Sequence, residues 1–190
     1  MRPPSESDVR RLVTEAVERA LGPDGAVAPA ASAIKPALVS PRRIAIGCDH
    51  GGLELKEVLK RALIEEMGME VHDCGTHSND PVDYPDSAAA VGREVASGRA
   101  ANGIVIDSAG IGSTMAANKV PGVRCALCHD DATVRNSREH NDANVLALGS
   151  KVVNRGAATR MVRLFLNTEF AGGRHERRVR KIMALERGGS

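Results

Sequence analysis

Aromatic side chains are nearly missing from this 190-residue chain, which holds one Tyr, two Phe and no Trp, 2% in all. There is no platform on which the bases of a single-stranded nucleic acid would stack. A formal charge of +2 is also too small to draw a polyanion. Long apolar runs are missing too. No stretch reaches the ~18 apolar residues of a membrane-spanning helix, and the opening MRPPSESDVRR is polar and charged where a secretion signal would be apolar. The expected location is therefore the cytoplasm. Cysteine is scarce: Cys48, Cys74, Cys125 and Cys128 are the four. Without secretion a disulfide framework is not expected. Cys125 and Cys128 have metal-like spacing, but no second pair accompanies them and their run is β-like. Buried free thiols are therefore favoured over a zinc site.

What the chain does have is aliphatic. Apolar residues make up 42% of it, enough for a sizeable core built from Val, Ile, Leu, Ala and Met. Three regions differ in composition. Residues 1–22 hold Val9, Leu12, Val13, Ala16, Val17, Ala20 and Leu21, which step alternately by three and one. That spacing predicts an amphipathic helix over 5–21, capped by Ser5 or Ser7 and stopped by Gly22-Pro23. Residues 23–42, rich in Pro, Ala, Gly and Ser, read as an extended flexible linker.

Residues 43–190 alternate between strand and helix. RIAIGCDH, MEVHDCG, NGIVID, VRCALCHD and NVLALGS read as strands. Between and after them LELKEVLKRALIEEMG, DSAAAVGREVASGRA, TMAANKV, DATVRNSREHN, AATRMVRLFLNTEF and HERRVRKIMALERG read as helices. Apolar strands separated by helices predict an α/β domain: three αβα layers around a doubly wound, Rossmann-like sheet of five parallel strands.

Ligands of such sheets bind beyond the carboxyl ends of the strands. Polar residues collect there: Cys48-Asp49-His50 after the first strand, Asp107 after the third, and Ser150-Lys151 after the fifth. One such end would be ordinary turn chemistry; three in one sheet favour a site. The loop Ala109-Gly110-Ile111-Gly112-Ser113 runs into a helix, and its N–H groups would form an anion-binding concavity. It is not GxGxxG, and no acidic ribose-binding partner accompanies it. Arg174 and Arg178 lie four apart and can point the same way from one helix face, which suits a phosphate. A solvated basic helix end explains them equally well. His140 sits where a helix runs into a loop, flanked by Asn141 and Asp142, which could fix its tautomer.

Together, GCDHGG, VDYPD, the glycine loop followed by AANK, REHNDANVLALGS and GGRHERRV resemble the ribose-5-phosphate isomerase B (RpiB/LacAB) family of sugar-phosphate isomerases. The resemblance runs from Arg43 to about Arg187 and leaves residues 1–42 outside it. It implies that Asp49 and His140 open the sugar ring, and that His50, Arg174 and Arg178 hold the phosphate, with Lys151 standing where many members have arginine. Tyr84 would line the sugar pocket and Asn141 would meet sugar hydroxyls. The amides around Gly110, Ile111, Gly112 and Ser113 would stabilise an enediolate oxygen. The resemblance also implies homodimers or tetramers with shared active sites, and no metal or other cofactor.

At the base this chain departs from the family. One branch has a cysteine where Asp107 stands and another a glutamate where Ser113 stands; a hydroxyl residue common two positions after that cysteine is Ala109 here. Asp107 is expected to be the base, since a carboxylate can move a proton between adjoining carbons and the loop amides would then face the enediolate oxygen. The competing reading makes Asp107 a helix cap in a protein that binds sugar phosphate without turnover. The expected substrate is ribose 5-phosphate or ribulose 5-phosphate, with tetrulose, allose and galactose phosphates as alternatives. The N-terminal layout resembles the encapsulation peptides of bacterial microcompartment cargo. Residues 5–21 are therefore expected to dock on shell proteins, an added oligomerisation arm being the other reading.

Overall fold

A computed structural model describes residues 43–186 of the chain. The elements predicted before residue 43, helix 5–21 and linker 23–42, lie outside the described residues. Strands form where β-branched and aliphatic residues run together: β1 (Arg43–Cys48), β2 (Glu70–Asp73), β3 (Asn102–Asp107), β4 (Cys125–Leu127) and β5 (Val145–Gly149). Helices α1 (Leu53–Arg61), α2 (Tyr84–Ala96), α3 (Ile111–Ala117), α4 (Asp131–Asn141), α5 (Arg155–Asn167) and α6 (Arg174–Leu185) separate or follow them. α1 widens into a π-helical turn over Ala62–Glu66.

All five strands are parallel, in the order β2-β1-β3-β5-β4. The chain leaves β1 toward one edge to make β2, then returns past β1 to make β3. The reversal opens a crevice above the carboxyl ends of β1 and β3, where doubly wound sheets bind ligands. One sheet face packs Ile44, Ile46, Ile104, Ile106, Leu146 and Leu148 against Leu55 and Leu59 of α1, Leu63 of the π-helical turn, and Met161, Val162 and Phe165 of α5. The other packs Ala45, Val105 and Ala147 against Ala88, Val91 and Val95 of α2. Each fully buried side chain of this size contributes about 1.5–3 kcal/mol, so the two covered faces hold the strand ends rigid. The three-layer expectation is met.

Helix starts are local chemistry. Asp130 accepts the Thr133 N–H at 2.7 Å to cap α4, and Asn154 accepts the Ala157 N–H at 2.9 Å to cap α5. α2, α3, α5 and α6 each start one to three residues earlier than predicted, and two of these starts have a local reason. α2 begins at Tyr84 and takes Pro85 into its first turn, where a missing N–H costs nothing. α3 begins at Ile111, because Gly110 adopts φ +80° and turns the loop directly into the helix.

Candidate active site

At the carboxyl edge the chain leaves β1 through Asp49, which is buried. Its N–H donates to the Ile106 carbonyl at 3.2 Å, and its Oδ1 accepts the Gly52 N–H at 2.9 Å. The side chain is thereby set at the head of the His50–Gly52 turn. His50 is exposed, and its Nδ1 accepts a long bond from the Val82 N–H at 3.4 Å, which leaves Nε2 without a hydrogen bond among the described residues. The end of β5 stitches the crevice together. Ser150 donates its N–H to the Asp107 carbonyl at 2.8 Å and its hydroxyl to the Gly51 carbonyl at 2.8 Å; Lys151 donates its N–H to the Ser108 carbonyl at 3.0 Å. The Lys151 side chain is exposed, beside a cleft of about 690 Å³ between the starts of α1 and α5.

Asp107 ends β3 with only 5% of its surface exposed. Oδ1 accepts the Ala109 N–H at 2.8 Å and the Gly110 N–H, and Oδ2 accepts the Ser113 N–H at 2.8 Å. Burial pushes the carboxyl up, but the Ser113 side chain and the three amides outweigh it and hold Asp107 below its ordinary value. The Asp107 side chain is therefore an anion throughout the neutral range. This corrects one expectation. The amides of Ala109, Gly110 and Ser113 face Asp107 itself, because the loop folds back over the strand end that carries it. They are not directed at an empty oxyanion position.

Two glycines let the loop take that path. A Cβ on Gly110 would meet Leu127 and lie 3.0 Å from the Gly149 nitrogen, in a left-handed backbone that few side chains adopt. A Cβ on Gly112 would lie 2.5 Å from the ring of Tyr84. Tyr84, 41% exposed, thus packs closely against the loop at Gly112. Ile111 is exposed at its side, on the outer face of α3.

The remaining predicted residues form a second group. At the end of α4 the His140 ring stacks on His175 of α6, centroids 4.2 Å apart and planes 4° from parallel. Asn136, one turn earlier, meets His140 Nδ1 at 2.9 Å. This corrects the expected tautomer partners: Asn141 bonds instead to Asn136, and the Asp142 carboxylate is taken by Arg124 at 2.9 Å and Arg138 at 3.1 Å. Arg174 Nε donates to His175 Nε2 at 3.3 Å, and Arg178 is exposed one turn on. Burial under the stack and the charges of His140, Arg174 and Arg178 hold His175 below its ordinary value. Sequence reading missed His175 and Asn136. Asn136 precedes His140 by one helical turn, a signal that was there to use; His175 is 35 positions away and only the fold pairs it.

The two groups occupy opposite edges of the sheet. A helix between parallel strands runs back toward their amino ends, so α4 delivers His140 and Asn141 there, and α5 delivers the start of α6 there too. Six-residue β3 alone spans about 17 Å between the edges. Among the described residues, no hydrogen bond, ion pair or ring stack joins the Asp49–Asp107 group to the His140–Arg174 group. Cys125 and Cys128, the alternative metal pair, are buried free thiols, Cys125 pushed up to about 12 by burial. No cluster of three metal-binding side chains exists among the described residues.

A doubly wound parallel sheet with a buried carboxylate at its reversal point has the architecture of an α/β enzyme. The chain belongs to the ribose/galactose isomerase family, whose pattern matches residues 44–182. It is 43% identical over 145 residues to the ribose-5-phosphate isomerase B of Escherichia coli (strain K12), covering 76% of this chain and 97% of the relative. Among solved structures, ribose-5-phosphate isomerase B of Clostridium thermocellum is similar at 49% identity with a TM-score of 0.75, covering 77% of this chain and 98% of that one. The type B ribose 5-phosphate isomerase of Trypanosoma brucei is similar at 44% identity with a TM-score of 0.73, covering 76% and 98%.

Proposed function

We propose that the chain is an aldose–ketose isomerase that interconverts ribose 5-phosphate and ribulose 5-phosphate, with Asp107 as the base. The observation that carries this reading is the buried Asp107 anion above β3, at the sheet reversal. Oδ1 already receives two N–H groups and Oδ2 only one, so Oδ2 keeps a lone pair for the substrate. Asp107 takes the proton from C2, and the C–H electron pair becomes the enediolate double bond. The C1 carbonyl pair moves onto O1; the proton on Asp107, partly exchanged with water, then passes to C1 while the O2 hydroxyl proton moves to O1, leaving O2 as the ketone oxygen. Asp49 and His140 assist ring opening; His50, Lys151, Arg174 and Arg178 hold the phosphate; Tyr84 and Asn141 meet the sugar.

These residues lie at opposite edges of one sheet, so the working site is formed by two copies in a homodimer, the His140–Arg178 edge of one facing the Asp49–Asp107 edge of the other. The unit is a dimer or a pair of dimers. Mixing two inactive variants, Asp107→Asn and His140→Asn, tests this: exchange of subunits should return part of the parent activity, whereas no recovery would place the whole site in one copy.

A second reading has its own observation. Three amides on one carboxylate also describe a residue that merely caps the loop. Incubation with ribose 5-phosphate in D₂O separates the two readings. Deuterium at C1 or C2 supports the isomerase; binding without exchange supports a binding protein. The same exchange measured with tetrulose, allose and galactose phosphates tests the substrate.

Residues 5–21 are proposed to dock on microcompartment shell proteins, which would place the enzyme within such a compartment. Support comes from the alternating apolar spacing of that segment and the Pro/Ala-rich stretch that tethers it. Residues 1–25 fused to a fluorescent protein should give puncta in cells that make shells; diffuse signal would overturn the docking.

A further inference from the structure

We propose that Ser113 is a positioning residue that marks Oδ2 of Asp107 as the proton-carrying oxygen and sets its basicity through its side-chain hydroxyl. The proposal rests on the reading of Asp107 as the base.

Ser113 is 1% exposed, and its Oγ is one of the few buried polar atoms among the described residues with no hydrogen-bond partner. Buried hydroxyls in native proteins are nearly always satisfied, and one left over calls for an account. This one belongs to the residue whose N–H holds Oδ2 at 2.8 Å; the hydroxyl is near enough to the carboxylate to favour its ionised form, yet makes no hydrogen bond to it. Oδ1 is saturated by the Ala109 and Gly110 amides. The loop thus divides the carboxylate into an anchored oxygen and a working one, with a free hydroxyl beside the second.

Other charged or titratable groups on the surrounding elements are Asp49 and His50 after β1, Tyr84 on α2 and Lys151 after β5. None bonds to the Asp107 carboxylate among the described residues. Ser113 is therefore the side chain placed to tune it. When Asp107 takes up the substrate proton, the free hydroxyl can rotate to accept it from Oδ2 without moving its backbone. A backbone amide cannot make that change.

The test compares parent, Ser113→Ala, Ser113→Thr and Asp107→Asn proteins. The readouts are kcat/KM for ribose 5-phosphate against pH and the ¹³Cγ titration of aspartate-labelled protein, with the Asp107 resonance assigned by its loss in Asp107→Asn. Ser113→Ala keeps the N–H and removes only the hydroxyl. The Asp107 midpoint and the acid limb of kcat/KM should both move up by about one pH unit, and Ser113→Thr should bring them back. Superimposable titrations in the parent and Ser113→Ala would overturn the proposal. If Ser113→Ala fails to fold by circular dichroism, Ser113→Cys, a near-isostere with a weak donor, carries the same comparison. An Asp107→Asn protein as active as its parent would defeat the base reading alone, since the ¹³Cγ midpoint reports on Ser113 without any turnover.

Discussion

His140 and His175 lie ring on ring, 4.2 Å between centroids, although 35 positions separate them in the chain. The contact ties the end of α4 to the start of α6 and gathers two imidazoles and the Arg174 and Arg178 guanidinium groups at one corner. Because the folded protein holds His175 below its ordinary 6.5, the unfolded chain binds that proton more readily. Stability is then greatest above about pH 6.5 and falls as the pH drops through that value, until His175 titrates in the folded state as well. Thermal melts between pH 8 and pH 5 should show this slope, and His175→Phe, which keeps a stacked ring, should flatten it.

Asp107→Asn replaces the anion by an amide of nearly the same shape. Isomerase activity should fall by about 10²–10⁴-fold, the usual worth of a general base, measured as the initial rate of ketose formation. The same substitution should reduce acid sensitivity. A carboxyl held below its ordinary 3.8 stabilises the folded state above that pH and loses the contribution as pH falls through the folded-state value. Acid-induced unfolding of the variant should therefore be shallower below pH 4.

Gly112→Ala should be costly for its size. The new methyl would sit 2.5 Å from the Tyr84 ring, so either the ring swings away or the Asp107 loop shifts. In both cases the sugar pocket changes while the core does not. The expected result is a KM raised by roughly tenfold, about 1.4 kcal/mol of binding, with Tm within a few degrees of the parent. A KM unchanged from the parent would show that Tyr84 does not line the pocket.

Lys56, fully buried on α1, donates to both oxygens of Asp73 at 2.8 and 3.0 Å and to the Thr76 carbonyl at 2.6 Å. Burial pushes Asp73 up, yet bonds from Lys56, Lys60 and the Gly75 N–H bring it down to about 2. Lys56→Met leaves the carboxylate with Lys60 and the Gly75 N–H. Breaking a buried pair costs about 3–5 kcal/mol; with Lys60 still 2.9 Å away the loss should be nearer ~2–3 kcal/mol, or roughly 5–10 °C in Tm. Asp73 supplies stability above pH 3.8 that disappears toward pH 2, and in Lys56→Met this acid transition should begin at a higher pH.

The place of several candidate residues in the fold was legible in the order of residues along the chain. Apolar runs such as Gly103–Ile106 have the length and the flanking turn residues of a strand buried on both faces, and the polar residue that ends each run lies at the carboxyl edge. Asp49, His50, Asp107 and Lys151 could be placed by that rule before any coordinates. The rule also implies that α4 ends at the far edge, which puts His140 away from Asp107 in one chain. Less legible was the occupancy of the loop amides. An anion-binding loop and a loop that binds its own carboxylate look alike in residue order, because both need small residues and free N–H groups.

Local periodicity and composition were thus enough to determine the parallel sheet, its covered faces and the carboxylate at the end of β3, since these follow from which side chains water rejects. Tertiary structure alone decided that the Asp107 carboxylate takes up its own loop amides, that the Ser113 hydroxyl is left unpartnered, and that His140 meets His175. Those outcomes depend on the left-handed turn at Gly110 and on the packing of α6 beside α4, contacts between residues whose separation along the chain leaves no periodic trace.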